Sequence, residues 1–412
     1  MKIENRIEQE ERFGAANYLP LPVVLDRGEG AWLWDVEGNK YLDMMSAYSA
    51  VSHGHGHPRL VEALQRQASQ LAIVSRAFHA EPLGPFLEKL CAISGLARAL
   101  PMNTGAEAVE TAIKAARRWG YRVKGIPSNQ AQIIVAEGNF HGRTTTIVGY
   151  SSDEEYKADF GPFTPGFVTV PFGDIDAMRK AITPNTAAIL VEPIQGEAGI
   201  VEPPDGWLKD LRTLCTEENV LMILDEIQTG LGRTGKLFAH NHEGITPDGL
   251  ILGKALGGGL MPVSAFVSTN EVMDVFDPGS HGSTFGGNPL AAAVGLEALE
   301  VLDDENLTER SAELGDKLKR AMKGINSPLI KDVRGKGLWI GVEIEPSLCA
   351  ARTVCERLMT RGILSKETHE TVVRLAPPLV IKEDDLDWAI NEFRSVISEL
   401  EAECVPSEAK AQ

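Results

Sequence analysis

The chain has 412 residues, which is too long for one ordinary hydrophobic core and predicts a large α/β domain accompanied by a smaller one. Its formal net charge of −18 argues against a nucleic-acid partner, because phosphate backbones would be repelled, and its sequence contains no apolar stretch long enough to cross a membrane. The five cysteines are odd in number and form no Cys-x-x-Cys pair, which favours a reducing cytosol over a disulfide framework.

The N-terminal segment, residues 1–55, is predicted to carry no targeting peptide and to contain a β-hairpin. Its first residues, MKIENRIEQEERF, lack the apolar core of a signal peptide and the basic bias of a transit peptide. We therefore expect a cytoplasmic protein rather than a processed organellar form. Residues 32–36 and 40–42 flank the turn sequence EGN, a pattern typical of a hairpin.

Three alternating histidines, His53, His55 and His57, follow the hairpin. A metal site is one interpretation of such a cluster. Glycine and proline separate the histidines, however, and the sequence offers no second cluster of ligand residues. A tight loop is the favoured interpretation, and no metal is expected.

In residues 56–302, helical stretches alternate with short apolar runs, which predicts a mostly parallel sheet with helices on both faces. Residues 100–108 lead into an alanine-rich helix that we expect to end at Gly120. The helix start at Thr104 and Gly105 offers free backbone N–H groups to a phosphate. Alone this is weak evidence, because most helix starts bind nothing.

Polar side chains repeatedly follow the apolar runs of this region. The run at residues 133–136 is followed by Phe140, an aromatic that either stacks on a ligand or belongs to the core. The run at residues 187–191 ends in Glu192, with Glu197 shortly after it. Open α/β sheets bind ligands at the carboxyl ends of their strands, so this repetition predicts a site at that edge.

The most informative residues are Asp225 and Lys254. The apolar run at residues 220–224 ends at Asp225, and the run at residues 249–253 leads to Lys254 and a glycine-rich loop. Together they favour pyridoxal phosphate as cofactor, because a lysine amine bonds to its aldehyde and a buried aspartate keeps its pyridine nitrogen protonated. An ordinary buried ion pair is the alternative, and the other strand-end groups disfavour it.

Residues 230–236 contain the glycine spacing of a dinucleotide-binding fingerprint and nearly that of a P-loop. The surrounding sequence fits neither motif. The preceding strand has already ended at Leu224, and Leu237 stands where a P-loop needs a hydroxyl residue to bind magnesium. We therefore disfavour a nucleotide site.

Residues 303–400 show a different pattern, which predicts a C-terminal small domain. A helical stretch is followed by a strand-like run at residues 337–342 and by an amphipathic final helix that reaches residue 400. Residues 401–412 are predicted to be a solvated tail.

Several of these motifs together resemble the class III, fold-type I aminotransferases, from about Asn17 to about Lys382. The matching motifs are MNTGAEAVETA, GNFHGRT, VEPIQGEAG, LDEIQTGLGRTG, LGKALGGG and HGSTFGGNPL. Within that family, NYLPLPVVL, WDVEGNKYLDMMSAYSAVSHGHGHP and RLAPPLVIKEDDL are similar to the ornithine δ-aminotransferases in order and spacing. The resemblance implies a pyridoxal-phosphate-dependent α/β transferase whose large, mostly parallel sheet domain is accompanied by a smaller α+β domain. The smaller domain would combine residues 1–55 with residues 303–400.

The resemblance also implies a cofactor site. Lys254 would bind pyridoxal 5′-phosphate covalently and transfer protons, Asp225 would contact the pyridine nitrogen, and Gln228 would lie beside the phenolic oxygen. The remaining implied contacts are ring stacking by Phe140, backbone contacts of Gly105 and Ala106 with the phosphate, and contact of Thr284, with Ser283, to the phosphate of a neighbouring subunit.

For the substrate, the resemblance implies that Tyr18, Tyr48 and Arg143 hold the end of ornithine remote from the reacting amine. Arg374 and Glu197 would form a gated carboxylate site. The expected reaction is transfer of the δ-amino group of L-ornithine to 2-oxoglutarate by a homodimer or larger homo-oligomer. The alternatives are a transaminase for N-acetylornithine or another ω-amine, an aminomutase or racemase of the same fold, and a relative that keeps the fold without the cofactor. His141 departs from members that carry tryptophan at this position.

Overall fold

The computed structural model describes residues 3–404. The strands are β1 (Leu25–Glu29), β2 (Trp32–Asp35), β3 (Lys40–Asp43), β4 (Arg98–Met102), β5 (Gln132–Ala136), β6 (Phe167–Val170), β7 (Thr186–Val191), β8 (Leu221–Asp225), β9 (Gly249–Leu252), β10 (Ser264–Ser268), β11 (Ile330–Gly335), β12 (Ile340–Ile344), β13 (Ile363–Leu364), β14 (Lys366–Thr368) and β15 (Val372–Leu375). The helices are α1 (Ile3–Phe13), α2 (Ser46–Ser49), α3 (Pro58–Gln70), α4 (Leu83–Ser94), α5 (Gly105–Trp119), α6 (Thr145–Val148), α7 (Glu154–Lys157), α8 (Ile175–Ala181), α9 (Trp207–Glu217), α10 (Asn270–Met273), α11 (Pro289–Asp304), α12 (Leu307–Lys323), α13 (Ala351–Thr360) and α14 (Glu383–Cys404).

The central sheet has seven strands in the order β4-β10-β9-β8-β7-β5-β6. Strands β9, β8, β7, β5 and β6 pair in parallel, whereas β10 is antiparallel to both of its neighbours. The prediction of a mostly parallel sheet is confirmed. Because the parallel strands end at the same edge, Asp225 at the end of β8 and Lys254 just after β9 lie on the same side of the sheet.

Both faces of the sheet are covered, which explains why its strands are apolar throughout. Side chains alternate along β5: Ile133 and Val135 pack in the core that contains α5, while Ile134 and Ala136 pack in the larger core on the opposite face. All six residues of β7 and all five of β8 are buried.

Two smaller sheets join the ends of the chain. In the first, with order β1-β2-β3-β13, the predicted hairpin pairs Trp32 with Leu42, and β3 then pairs in parallel with β13. The second has order β11-β12-β15-β14 and is antiparallel. The β3–β13 pairing joins the N-terminal segment to the C-terminal part of the chain, and the predicted domain bounds stay a prediction.

Several predicted boundaries differ from the structure. The helix α5 does not stop at Gly120, because the chain continues as a π-helical turn to Lys124 and ends at Gly125, which has a φ of 82°. The strand predicted at residues 337–342 is β12, which begins at Ile340. Helix α14 extends to Cys404, so residues 401–404 are helical, and the rest of the predicted tail lies outside the described residues. Among residues 3–404, no helix combines the length and the apolar character that a membrane span requires.

Candidate active site

Asp225 ends strand β8 and is 4% exposed. Its Oδ1 accepts a hydrogen bond from the backbone N–H of Ile227 at 3.0 Å, and its Oδ2 lies 2.7 Å from Nδ1 of His141. Burial opposes a charge on His141, but the hydrogen bond and the charge of Asp225 outweigh it and raise the pKa of the imidazole. The pair therefore places the buried carboxylate of Asp225 directly against the imidazole of His141.

Glu192 follows strand β7 and lies close to the same pair. Its Oε2 accepts a hydrogen bond from the backbone N–H of Phe140 at 3.0 Å, and its Oε1 accepts one from Gly196 at 3.2 Å. Burial raises the pKa of Glu192 to about 7, while the neighbouring His141 acts in the opposite direction. Glu192 thus holds the backbone of the loop that presents Phe140.

Lys254 is half-buried and begins a short 3₁₀ turn after strand β9, with a φ of 45°. Burial lowers the pKa of its ammonium group, while the charges of Glu197 and Asp225 act to raise it. A lowered pKa makes an amine more readily available as a nucleophile and as a proton carrier. The structure therefore brings Asp225 and Lys254 into one electrostatic environment.

Helix α5 begins at the same edge of the sheet. Thr104 caps it and forms a capping box with Glu107, which leaves the N–H groups of Gly105 and Ala106 without an intrahelical acceptor. A Cβ atom on Gly105 would lie 2.8 Å from Cδ1 of Ile227, so a side chain there would require Ile227 to shift. This helix start is open to a phosphate group.

Ser283 lies beside the start of α5, whereas its neighbour Thr284 is exposed. The hydroxyl of Ser283 accepts hydrogen bonds from Nδ2 of Asn103 and from the backbone N–H of Gly286, both at 3.0 Å. Ser283 is thereby held next to the predicted phosphate site of its own chain. The exposure of Thr284 leaves its side chain accessible to a second molecule.

Phe140, Tyr156 and Glu197 line a cavity of about 630 Å³, and Arg143 lies against the first two of these residues. The guanidinium carbon of Arg143 is 3.8 Å from the ring centroid of Tyr156 and 5.5 Å from that of Phe140. Within residues 3–404, Arg143 makes no ion pair with a carboxylate, so its charge is available to a ligand. The sequence did not single out Tyr156, because an aromatic residue in an acidic loop carries no recognisable pattern.

The other end of the cavity contains a buried ion pair. Arg374 in β15 is 1% exposed, and its Nη1 donates to Oε1 of Glu197 at 3.1 Å. Burial opposes the charge of Glu197, but Arg374 and Lys254 outweigh it and lower the pKa of its carboxyl. Tyr48 covers the pair, with its ring centroid 5.3 Å from the guanidinium carbon of Arg374.

Gln228 and Tyr18 complete the predicted set. The side chain of Gln228 is buried, and its Nε2 donates to the backbone oxygen of Tyr48 at 3.4 Å. Tyr18 lies close enough to affect the ionisation of Tyr48, but 77% of its surface is exposed in the single chain. Direct contacts therefore link Glu197, Arg374, Tyr48 and Gln228, whereas Tyr18 lies at the surface of the single chain.

The residues present fit pyridoxal phosphate. They offer a lysine of lowered pKa, a charged carboxylate for the ring nitrogen, and a helix start for the phosphate. The three histidines near residue 55 do not form a cluster. His53 contacts the backbone of Ala298, His55 pairs with Asp43, and His57 pairs with Glu305.

Comparison with known proteins agrees with a site for pyridoxal phosphate. The family described as class-III aminotransferase matches residues 13–397. The ornithine aminotransferase of Brevibacillus brevis is 58% identical over 391 residues, which are 95% of this chain and 97% of that protein. The structure of the ornithine aminotransferase from Toxoplasma gondii, with partial occupancy of PLP at its active site, has a TM-score of 0.97 at 43% identity, over 98% of this chain and 96% of that one. The acetylornithine aminotransferase from Elizabethkingia anophelis has a TM-score of 0.88 at 49% identity, over 97% of this chain and 100% of that one.

Proposed function

Because this chain belongs to the class-III aminotransferases, we propose that it transfers the δ-amino group of L-ornithine to 2-oxoglutarate. The products are glutamate and glutamate 5-semialdehyde, which cyclises to pyrroline-5-carboxylate. The sequence predictions of a fold-type I aminotransferase, of pyridoxal phosphate as its cofactor and of an ornithine aminotransferase activity are confirmed. The δ position, the oxo-acid acceptor and the roles of individual residues are our proposal.

When bound, pyridoxal phosphate supplies an aldehyde that exchanges for the amino group and a pyridine ring that accepts electrons. Lys254 carries protons to and from the substrate carbon, since burial lowers the pKa of its amine. Asp225, oriented by its hydrogen bond with His141, would hold a proton at the ring nitrogen. Phe140 orients the ring, and Gly105 and Ala106 hold the phosphate.

The observation that carries the substrate proposal is the buried pair of Glu197 and Arg374. An ornithine aminotransferase must accept a diamino acid through its side-chain amine and an oxo diacid through its oxo-acid end. Arg143 has no carboxylate partner in the described part of the chain and serves a carboxylate in both half-reactions. Arg374 is needed only for the oxo acid, and Glu197 masks its charge while the diamino acid is bound.

We also propose that the enzyme is a homodimer or a larger homo-oligomer. Thr284 is exposed in the single chain, although it lies next to Ser283 at the predicted phosphate site. The adjacent Phe285 is 56% exposed. A second copy that covers this segment would bring the Thr284 hydroxyl towards its own phosphate site.

An N-acetylornithine transaminase is the second candidate, favoured by the 49% identity to an acetylornithine aminotransferase. A panel of amino donors against 2-oxoglutarate separates the two. The purified holoenzyme is supplied with L-ornithine, N-acetylornithine or a simple ω-amine, and the products are identified. Pyrroline-5-carboxylate from L-ornithine, with little turnover of the acetylated donor, is expected. Preference for N-acetylornithine would reassign the substrate, and conversion without any oxo acid would indicate an isomerase.

A further inference from the structure

The glycine-rich segment at residues 230–236 contains a fully buried arginine, Arg233. No carboxylate among residues 3–404 lies within ion-pair distance of it, and burial lowers the pKa of its guanidinium to about 9. A buried charge without an opposite charge is costly unless its N–H groups are hydrogen-bonded. The acceptors of Arg233 are therefore informative about what this side chain does.

Arg233 donates four hydrogen bonds, all to neutral oxygen atoms. Its Nη1 donates to the backbone oxygens of Leu338 at 2.9 Å and of Pro377 at 2.7 Å. Its Nη2 donates to the hydroxyls of Ser52 at 2.9 Å and of Ser46 at 3.3 Å. The first two acceptors belong to the C-terminal part of the chain, and the last two belong to the N-terminal segment.

The two serines bracket a backbone turn that L residues normally avoid. Ser46, Ala47, Tyr48 and Ser49 have φ values of 44°, 45°, 59° and 73°. Consecutive residues in the left-handed region persist only when surrounding contacts impose the conformation. The hydroxyl of Ser52, which accepts from Arg233, also donates to the backbone oxygen of Ser49 at 3.1 Å.

The same network reaches the strand that contains Arg374. Pro377 follows β15 by two residues, and the hydroxyl of Ser46 also donates to the backbone oxygen of Ala376. One guanidinium thus joins the turn that presents Tyr48 to the chain segment that presents Arg374. The planar guanidinium directs its donors along fixed lines, so it sets the separation of the groups it joins.

We propose that Arg233 is a positioning residue that places Tyr48 against Arg374, and that it thereby sets the enzyme's preference for substrates with a remote carboxylate. Arg233 touches no substrate in this arrangement. It acts through the turn and the strand that it connects. The inference rests on the proposed function, in which Tyr48 receives the remote end of L-ornithine and Arg374 receives the oxo acid once Glu197 releases it.

The test compares substrates that use this end of the cavity with one that does not. Holoenzymes carrying Arg233→Lys or Arg233→Met are compared with the parent in single-turnover reactions with L-ornithine and with 1-butylamine, which has no carboxylate. Inhibition by glutarate, a five-carbon diacid, reports on carboxylate binding without chemistry. The visible absorbance of the bound cofactor shows whether the cofactor site remains intact.

For Arg233→Lys we expect a loss of about tenfold or more in kcat/KM for L-ornithine, because a misplaced contact weakens orientation. The glutarate inhibition constant should rise, while the 1-butylamine rate and the cofactor absorbance should change by less than about twofold, since neither uses the remote carboxylate contacts. Arg179→Met is the control, because Arg179 pairs with Glu217 on the exposed surface at 3.4 Å.

The inference would be overturned if the variants lost rate equally with L-ornithine and with 1-butylamine, or if the glutarate inhibition constant did not change. If the parent enzyme did not convert L-ornithine, the proposed function would be overturned instead. If both Arg233 variants fail to fold, Ser52→Ala is the deciding variant. It removes one hydrogen-bond acceptor of Arg233 and keeps the charged guanidinium. It should lower kcat/KM for L-ornithine by about two- to tenfold, the usual effect of one hydrogen bond, and spare 1-butylamine. An unchanged ratio of the two rates in Ser52→Ala would refute the inference.

Discussion

Nη1 of Arg374 donates to Oε1 of Glu197 across 3.1 Å, in a site where Arg374 is almost completely shielded from water. Removal of one partner from such a pair leaves an uncompensated charge, which a carboxylate ligand can neutralise. We propose that the pair acts as a gate whose state depends on which substrate is bound.

Glu197→Ala should leave Arg374 permanently open to an α-carboxylate. We expect the half-reaction with glutamate to improve relative to that with L-ornithine by about 1 to 3 kcal/mol in the ratio of specificity constants. Some L-ornithine should then react through its α-amine and give a 2-oxo acid. Stopped-flow measurement of both half-reactions with product analysis checks this.

Glu367→Ala is the matched control for the gate. Glu367 lines the same cavity, but it pairs with Arg352 at 3.3 Å and not with Arg374. If Glu197→Ala kept the parental ratio and gave only δ-derived product, Glu197 would be structural. Regiospecificity would then lie with Tyr18, Tyr48 and Arg143.

Lys254→Ala should abolish the covalent attachment of the cofactor and reduce turnover to background while the fold survives. The lysine is the one candidate group that follows a strand of the sheet into the glycine-rich loop. Visible absorbance, mass spectrometry of the reduced protein and turnover measure the effect. The exposed Lys236→Ala is the control, and near-normal turnover in Lys254→Ala would remove the central assignment.

Asp225→Ala should lower turnover by about a hundredfold or more, because an unprotonated pyridine accepts electrons poorly and a charge-assisted hydrogen bond is lost. It should also destabilise the protein, since His141 would keep a buried ring without its partner. Steady-state kinetics and thermal unfolding test the two effects separately. Parental turnover in this variant would mean that another group contacts the ring nitrogen.

The pH dependence of stability should report the pair of His141 and Asp225. Because the folded state raises the pKa of His141 above 6.5, its contribution is fully present below that pH and is lost as pH rises through the raised value. The slope is at most about 1.4 kcal/mol per pH unit for one proton. Unfolding of the parent at a series of pH values should show this loss, and His141→Phe should show a smaller one, because Glu192, whose pKa burial raises to about 7, still loses its proton in an overlapping range. His79→Phe, at an exposed position, should behave as the parent does; a parental slope in His141→Phe would refute the assignment.

Ala47 offers a test of the left-handed turn. Its side chain is exposed, and its φ of 45° disfavours any residue with a Cβ atom. Ala47→Gly should change stability by no more than about 1 kcal/mol, in the stabilising direction, because relief of left-handed strain exceeds the entropy cost of glycine. Ala47→Val should be destabilising by at least about 1 kcal/mol, because a β-branched residue fits this region worst. Thermal unfolding of the two variants and the parent measures both effects. A valine variant more stable than the parent would contradict the strain in this turn.

Sequence alone gave the family, the class of fold and the two residues most closely tied to the chemistry. Asp225 and Lys254 were visible because each directly follows an apolar run that can only be a buried strand, and parallel strands present their ends at one edge. Element ends were predicted less well. A glycine marked the expected end of α5, yet the helix continued as a π turn, because the packing of that segment and not the local preference of one residue decided where it stopped.

Tertiary structure decided what connects the site. The hydrogen bond between His141 and Asp225 spans 84 positions, and those from Arg233 to Ser46 and Ser52 span more than 180. The left-handed turn at residues 46–49 contains no glycine, so no residue in its sequence predicts the positive φ values. Local sequence patterns report what a segment prefers by itself, whereas this turn and these partners exist only because segments from both ends of the chain meet around one buried guanidinium.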